Sequence, residues 1–437
     1  MNFPSEGKFV AQIGFATLSV PGHLHPSLTL ASALRGRGHE VIFFTRIDGA
    51  EKIHRAGFRT EVFGEQKYTS DFLKQRLSEL STLSGLKAIR YTIDLVRSLD
   101  ELALAELPER LSLLSLDGMI VDQLFPAAAA VSQAAKIPYV TLSNALPVNP
   151  DPLAPPVFSH DRPSGKRWSS FRNGLLNRMG NYLFHPVIKQ LNCFQKKHGL
   201  PKIRTTADLG SDLAHLVQIP PGFDFERKQQ QDKMHYVGPL HSLETREEIA
   251  FPWHQIDSSK PLIYASMGTL QNRIRHVFSV IAEACADLPV QLVISLGGSA
   301  DPEEFPRWKG DPLVVPFAPQ LRLLQKASVC VTHAGLNTAM ESLACGVPML
   351  AIPVTNDQPG VAARIEHFEL GKRIQLGELK VAGVKRALGE LLNQSKYRQN
   401  AMSMQKTIQH CGGPDQAVAI IEQVFSTGCP VPLSRSI

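Results

Sequence analysis

The chain has no run of about 18 apolar residues, so no helix is expected to span a membrane. Met1–Val10 show no basic stretch leading into an apolar one, and no signal peptide is expected. The six cysteines, Cys193, Cys285, Cys330, Cys345, Cys411 and Cys429, never stand in Cys-x-x-Cys spacing. In a chain this long they read as reduced, mostly buried thiols of a cytoplasmic protein. G-x-G-x-x-G occurs nowhere, which disfavours a NAD-linked oxidoreductase. Positive charge is in mild excess: 46 Lys and Arg against 40 Asp and Glu, net +6, with small clusters at Lys166-Arg167 and Lys196-Lys197. A nucleic-acid binder would carry a denser basic stripe, so no nucleic-acid partner is expected. Contact with a membrane surface stays open.

What is present is a large α/β chain. Its 437 residues, 43% of them hydrophobic, suit two domains of about 200 residues each. Phe9–Phe15 reads as a buried parallel strand. A Pro21-Gly22 loop follows, then a helix over Leu24–Arg37 with Leu28, Leu30, Ala31 and Leu34 at helical spacing, then a strand over Val41–Phe44. That is a βαβ unit, the seed of a doubly wound sheet. Gly118–Val121 and Pro138–Leu142 read as further strands with a helix over Ala127–Ala135 between them. Pro147–Pro156 is a loop. The aromatic and basic stretch Trp168–Lys197 reads as an amphipathic helix that forms part of an acceptor wall, and Pro220 to about Ser259 reads as a linker region. The rhythm then restarts, with strands over Leu262–Ala265, Gln291–Ser295, Leu313–Val315, Val329–Thr332 and Met349–Ile352. The expected organisation is an acceptor-binding Rossmann-like domain over 1–235, a linker over 236–260, a nucleotide-sugar-binding Rossmann-like domain over 261–410, and a C-terminal helix and tail over 411–437 packing back on the first domain. The two domains would face each other across a cleft.

Ligands of open α/β sheets bind beyond the carboxyl ends of the strands. His23, the turn Ser266-Met267-Gly268-Thr269 and the stretch His333-Ala334-Gly335-Leu336-Asn337-Thr338 each follow a strand directly. Gly335 turns the chain into a helix that begins at Asn337 and Thr338, and a helix N-terminus with free N–H groups suits phosphate. Asn337 or Thr338 as a plain helix cap, and Ser266–Thr269 as an ordinary turn, are the competing explanations. Glu341, one turn into the helix, can accept two ribose hydroxyl bonds. Gly268 lets backbone approach a diphosphate closely. Asp357 with Gln358 can grip adjacent sugar hydroxyls, or Asp357 can cap the next helix ahead of Pro359. In the first half His23 is a general-base candidate and Asp122, at a strand end, the carboxylate that would orient it. His25 reads as a structural or pocket residue, with the role of base as its alternative. Asp-x-Asp occurs nowhere, so no metal-bridged diphosphate, metal or cofactor is expected.

The run from Phe317-Ala318-Pro319-Gln320 through Thr332–Thr338, Glu341, Gly346-Val347-Pro348 and Asp357-Gln358 resembles the nucleotide-sugar signature of the UDP-dependent family 1 glycosyltransferases, which have the two-domain GT-B fold. The resemblance implies that Phe317 stacks on uracil, that the Ala318 backbone pairs with its edge, and that Gln320 belongs to the same nucleotide site. It implies that Glu341 holds the ribose. Ser266, Gly268, Thr269, His333, Gly335, Asn337 and Thr338 would hold the diphosphate, and Asp357 and Gln358 the sugar. His23 matches the family's base and Asp122 its partner. Asp117–Gln123, Ala145–Asn149, Val237–Leu240, Ser266–Gln271, Asp357–Ala362 and Ile421–Val424 look like the bacterial zeaxanthin glucosyltransferases. That likeness implies UDP-glucose as donor, inversion to a β-glucoside, and a lipophilic xanthophyll acceptor drawn from a membrane. Sterol, macrolide or phenolic acceptors remain alternatives, as does a non-catalytic activator protein of the same fold.

Overall fold

A computed structural model describes residues 9–65, 67–164, 167–228, 231–242, 246, 248–268, 275–298, 301–305 and 307–433. Thr269, expected at the diphosphate, lies outside the described residues.

The first half runs β1 (Gln12–Ala16), α1 (Pro21–Gly36), β2 (Glu40–Thr45), α2 (Ile47–Arg55), β3 (Arg59–Val62), α3 (Ser70–Leu80), α4 (Gly85–Ser112), β4 (Gly118–Asp122), α5 (Pro126–Ala134), β5 (Tyr139–Ser143), α6 (Arg167–Lys197), β6 (His215–Val217) and β7 (Met234–Tyr236). Its strands form one parallel sheet in the order β3-β2-β1-β4-β5-β6-β7. The second half runs β8 (Leu262–Ser266), α7 (Arg275–Cys285), β9 (Gln291–Ser295), β10 (Leu313–Val315), α8 (Gln320–Leu324), β11 (Ala327–Thr332), α9 (Leu336–Ala344), β12 (Met349–Ala351), α10 (Gln358–His367), β13 (Gly371–Arg373), α11 (Val381–Asn393), α12 (Ser395–His410) and α13 (Gly413–Thr427). Its sheet, also parallel, has the order β10-β9-β8-β11-β12-β13.

Both sheets are covered on both faces, because alternate residues of a strand point to opposite sides. Ile13, Phe15 and Phe43 face the side covered by α1 and α13, with Phe15 and Phe43 stacked at 5.0 Å. Ile42, Phe44, Met119 and Val121 face the side covered by α4, α5 and α6. α13 therefore completes the core of the first half, where Val418, Ile421 and Val424 are buried with Leu24 and Leu28 of α1.

The stretch read as a linker supplies β7, an edge strand, and β6 was not foreseen either. These two strands hold only three residues each, and His215 and His235 interrupt their apolar character. The two halves also pack against each other. Leu146, Val217, Ile219 and Phe223 share one core with Tyr264, Val347, Val361 and Ile365. Beside it, Arg364 of α10 is fully buried and gives two hydrogen bonds to Asp224, at 3.1 and 2.6 Å. Arg227 Nε donates to the other carboxylate oxygen at 2.7 Å, and the Tyr236 hydroxyl donates to that oxygen at 2.8 Å. Burial alone would raise the Asp224 pKa, but the two guanidinium groups outweigh it and hold the carboxyl well below its ordinary range.

Removing the carboxylate strands two buried cations. Asp224→Ala is expected to cost about 3–5 kcal/mol in denaturant unfolding, and the combined Asp224→Leu and Arg364→Met change to recover part of that loss. A depressed carboxyl pKa stabilises above the unfolded value of about 4 and loses its effect as pH falls. The gap between wild type and Asp224→Ala should therefore narrow in acid; an unchanged gap would remove the triad from the closure.

Candidate functional site

Sheet order explains which residues meet. In the first sheet the order reverses between β1 and β4, and Ala16 pairs in register with Val121. The chain leaving β1 enters α1 with His23 in its first turn, while Asp122 ends β4. In the second sheet the reversal falls between β8 and β11, where Ser266 pairs with Thr332, and Gly268 and His333 follow. Each half thus contributes its topological switch point, the usual ligand position of such sheets.

His23 Nδ1 bonds Asp122 Oδ2 at 2.6 Å. Asp122 is fully buried, and its other oxygen accepts from the Leu124 N–H at 2.9 Å. Asn144 Nδ2 donates to Asp122 Oδ2 at 2.7 Å. With its oxygens so supplied the carboxyl acts as an acceptor, so His23 Nδ1 carries the proton and Nε2 presents a lone pair. The His23 side chain keeps 13% exposure. Burial is the largest single influence on it and lowers its pKa. The charge of Asp122, their hydrogen bond and the charge of Asp357 together prevail, and the net shift is upward. His25, two residues on, is pushed down to about 3 by burial, Arg246 and Lys52, and its Nδ1 lies 2.8 Å from Arg246. It is a neutral neighbour of the site.

On the opposing face α9 starts at Gly335 with no side-chain cap on its first turn, so Asn337 and Thr338 do not act as the helix cap. Its backbone N–H groups and dipole point toward the first half. Ala334, in the turn before it, sits in the left-handed region at φ 63°, a strained conformation for a residue with a Cβ. The His333 imidazole is packed between Gly268 and Gly335: a Cβ on either would lie 2.6 or 2.5 Å from the ring. Burial lowers its pKa to about 4 against an opposing bond with the Ser266 backbone, so it is neutral at pH 7.

Asn337 crosses the gap. Its Nδ2 donates to the Gly22 carbonyl at 2.7 Å, and its Oδ1 accepts from Gln218 Nε2 at 3.0 Å. Gln218 also donates to the Asn144 carbonyl at 2.7 Å, which links α9 to the residue holding Asp122. Asp357 precedes α10 without capping it; its Oδ2 instead accepts from the Leu146 N–H of the first half at 3.1 Å. Burial raises its pKa, opposed by that bond and by His23. Gln358 turns its Oε1 back to the N–H groups of Val354 and Thr355, at 2.9 and 3.0 Å.

Glu341 is buried between halves. Its Oε2 accepts from Gln320 Nε2 at 2.6 Å, and its Oε1 pairs with Arg246. Gln320 is itself held by Tyr264 at 3.0 Å and reaches Thr338 at 3.3 Å. Ala318 is buried, whereas Phe317 is 49% exposed with its ring against Gly298. Among the described residues no group of three or more His, Cys, Asp or Glu could hold a metal ion.

Sequence reasoning missed Asn144, Gln218 and Arg246. Asn144 and Gln218 each stand directly after a strand, the same signal that points to His333. Arg246 carries no signal, since it lies in the stretch read as linker.

The family model described as "UDP-glucoronosyl and UDP-glucosyl transferase" matches residues 59–426. The zeaxanthin glucosyltransferase of Pantoea ananas is 31% identical over 428 residues, which cover 95% of this chain and 97% of that protein. The zeaxanthin glucosyltransferase of Pseudescherichia vulneris is 29% identical, covering 94% and 98%. Among solved structures, the glycotransferase of kitacinnamycin matches with a TM-score of 0.69 at 20% identity, covering 94% of this chain and 98% of its own. That likeness is one of fold, and the fold is GT-B. The chain belongs to the UDP-glucoronosyl and UDP-glucosyl transferase family and is a glycosyltransferase.

The electrostatics of the His23 pair are directly measurable. In an NMR titration the His23 ring is expected to titrate above its ordinary value near 6.5, and Asp122→Asn should move it downward. A His23 pKa that ignores Asp122→Asn would contradict the pairing.

Proposed function

We propose that this glycosyltransferase moves glucose from UDP-glucose to a hydroxyl of a lipophilic acceptor, a xanthophyll such as zeaxanthin, and gives a β-glucoside without a metal ion. The observation that carries the reading is the hydrogen-bonded His23–Asp122 pair, set at one switch point while the uncapped start of α9 stands at the other. The two zeaxanthin glucosyltransferase relatives, alike over nearly the full length, support the acceptor and donor class.

In this reading the acceptor O–H gives its proton to His23 Nε2 as its oxygen attacks the anomeric carbon. The bond from that carbon to the β-phosphate oxygen breaks, and its electron pair leaves with UDP. Asp122 stabilises the imidazolium that forms. Leaving-group charge falls on the N–H groups of α9, with Gly335, Asn337, Thr338, neutral His333, Ser266 and Gly268 around the diphosphate. Phe317, Ala318 and Gln320 take the base side of the nucleotide. Glu341 receives the ribose hydroxyls, which replace Arg246 at Oε1. Asp357 and Gln358 face the sugar. Attack from the side opposite the leaving group inverts an α-linked glucose.

The acid limb of kcat/KM should follow His23: activity is low where the imidazole is protonated and rises with pH through its raised pKa. His23→Ala is expected to lower kcat about 10²–10⁴-fold with UDP affinity kept, and normal turnover would remove it as the base. Glu341→Ala should raise the donor KM about 10- to 100-fold, the worth of hydrogen bonds to a charged group, whereas an unchanged KM would remove it from the ribose. An acceptor screen with labelled UDP-glucose, read by mass spectrometry in EDTA, should favour xanthophylls over sterols, macrolides and phenols. Activity that returns only with Mg²⁺ would overturn the metal-free mechanism.

A further inference from the structure

α6 carries large apolar side chains on two faces. Val187, Ile188, Leu191 and Phe194 bury its inner face in the core of the first half. Its outer face begins with Trp168, Phe171, Leu175 and Tyr182, between 60 and 78% exposed, joined by Met179. Their spacing of three and four residues puts them on one side of the helix, over about 21 Å of its length. Trp168 and Phe171 stack on each other at 5.3 Å. Monomeric soluble surfaces rarely gather large apolar side chains this way.

The same helix concentrates the charge. It contains six Lys or Arg and no Asp or Glu. Against 46 basic and 40 acidic residues in the whole chain, the other 406 residues balance at 40 and 40. The six basic residues of this one element thus equal the net excess of the whole chain. Arg172 is turned to Asp161 at 3.0 Å. Arg178 is exposed within the apolar stretch, and Lys189, Lys196 and Lys197 are exposed and continue the outward face beyond it.

We propose that this face of α6 docks the enzyme onto an anionic lipid bilayer, with the apolar half entering the interface and the basic half meeting the headgroups. Charge complementarity selects this occupant: an apolar stripe followed by cations with no acidic residue suits anionic lipid, and each basic residue near such a surface is worth about fivefold in partition. No described helix is long and apolar enough to cross a bilayer, so the contact is peripheral. The loop behind α6 connects it to the chemistry. Asn173 donates to the carbonyls of Pro152 and Leu153, and Asn177 to that of Asp151. The same loop gives the Val157 carbonyl to the Gly360 N–H of α10 at 2.8 Å and the Leu146 N–H to Asp357. A bilayer-dissolved acceptor would thus be met beside the cleft. The inference deepens the lipophilic-acceptor reading and rests on it for its purpose, while vesicle binding can be measured without any acceptor.

The test is co-sedimentation of the full chain with phosphatidylcholine vesicles, with and without phosphatidylglycerol. The wild type is expected to bind the anionic vesicles, and more weakly in high salt. The combined Trp168→Ser, Phe171→Ser and Leu175→Ser variant, and separately Lys189→Glu with Lys196→Glu and Lys197→Glu, should each lose about tenfold or more in partition, with UDP affinity and Tm unchanged. Absence of wild-type binding, or variants that bind like wild type, would overturn the proposal. So would a dimer dissolved by the serine variant without vesicle binding, because the face would then cover a second copy. Transfer to detergent-solubilised xanthophyll tests the chemistry separately, so either reading can fail alone.

Discussion

The side-chain amide of Asn337 sits where the two halves of the molecule become one site. It donates to the Gly22 carbonyl, one residue from His23, and accepts from Gln218, which holds the Asn144 carbonyl. Asn144 in turn bonds Asp122. A single amide therefore ties the start of the helix that would receive a diphosphate to both members of the base pair. Two parallel sheets can each present a switch point, and this bridge joins one to the other directly. An amide suits the task because it offers a donor and an acceptor at once and carries no charge to be buried.

Around that bridge the closed arrangement is over-determined. A shared apolar core, the Arg364–Asp224–Arg227 triad and the Asp357–Leu146 bond all join the halves. Arg246 adds a contact of another kind, since it pairs with Glu341 and reaches His25. In the proposed function the ribose hydroxyls take its place at Glu341. The contacts of Asp224, Arg364 and Asp357 gather around α10, whereas the Arg246–Glu341 pair lies against α9.

The central strands were legible from sequence because burial on both faces makes them continuous apolar runs. Gln291–Ser295 and Leu313–Val315 fall where those runs do. The rule that polar residues at or just past a strand end gather at a switch point pointed to Ser266 and His333, which the second sheet brings side by side; His23 lies further on, in the first turn of α1. The rule failed at Gln218 because β6 is three residues long and begins with a histidine. Asp224 and Arg364 are 140 residues apart, and no local pattern marks an ion pair made by folding. Asp357 reads from sequence as a sugar ligand, a cap for α10, or both, and position alone could not reveal that its carboxylate turns to the other half. For α6 the amphipathic pattern was readable, but which side would face solvent depended on Val187, Ile188 and Leu191 finding the core.

The central claim is a single displacement in which a base on one half deprotonates an acceptor while the other half holds the departing diphosphate. The stereochemistry of the product reports on it without perturbing the protein. The configuration at the anomeric carbon, read by NMR on the glucoside formed from UDP-α-glucose and zeaxanthin, should be β. An α-glucoside would contradict the account, because retention cannot arise from one attack opposite the leaving group.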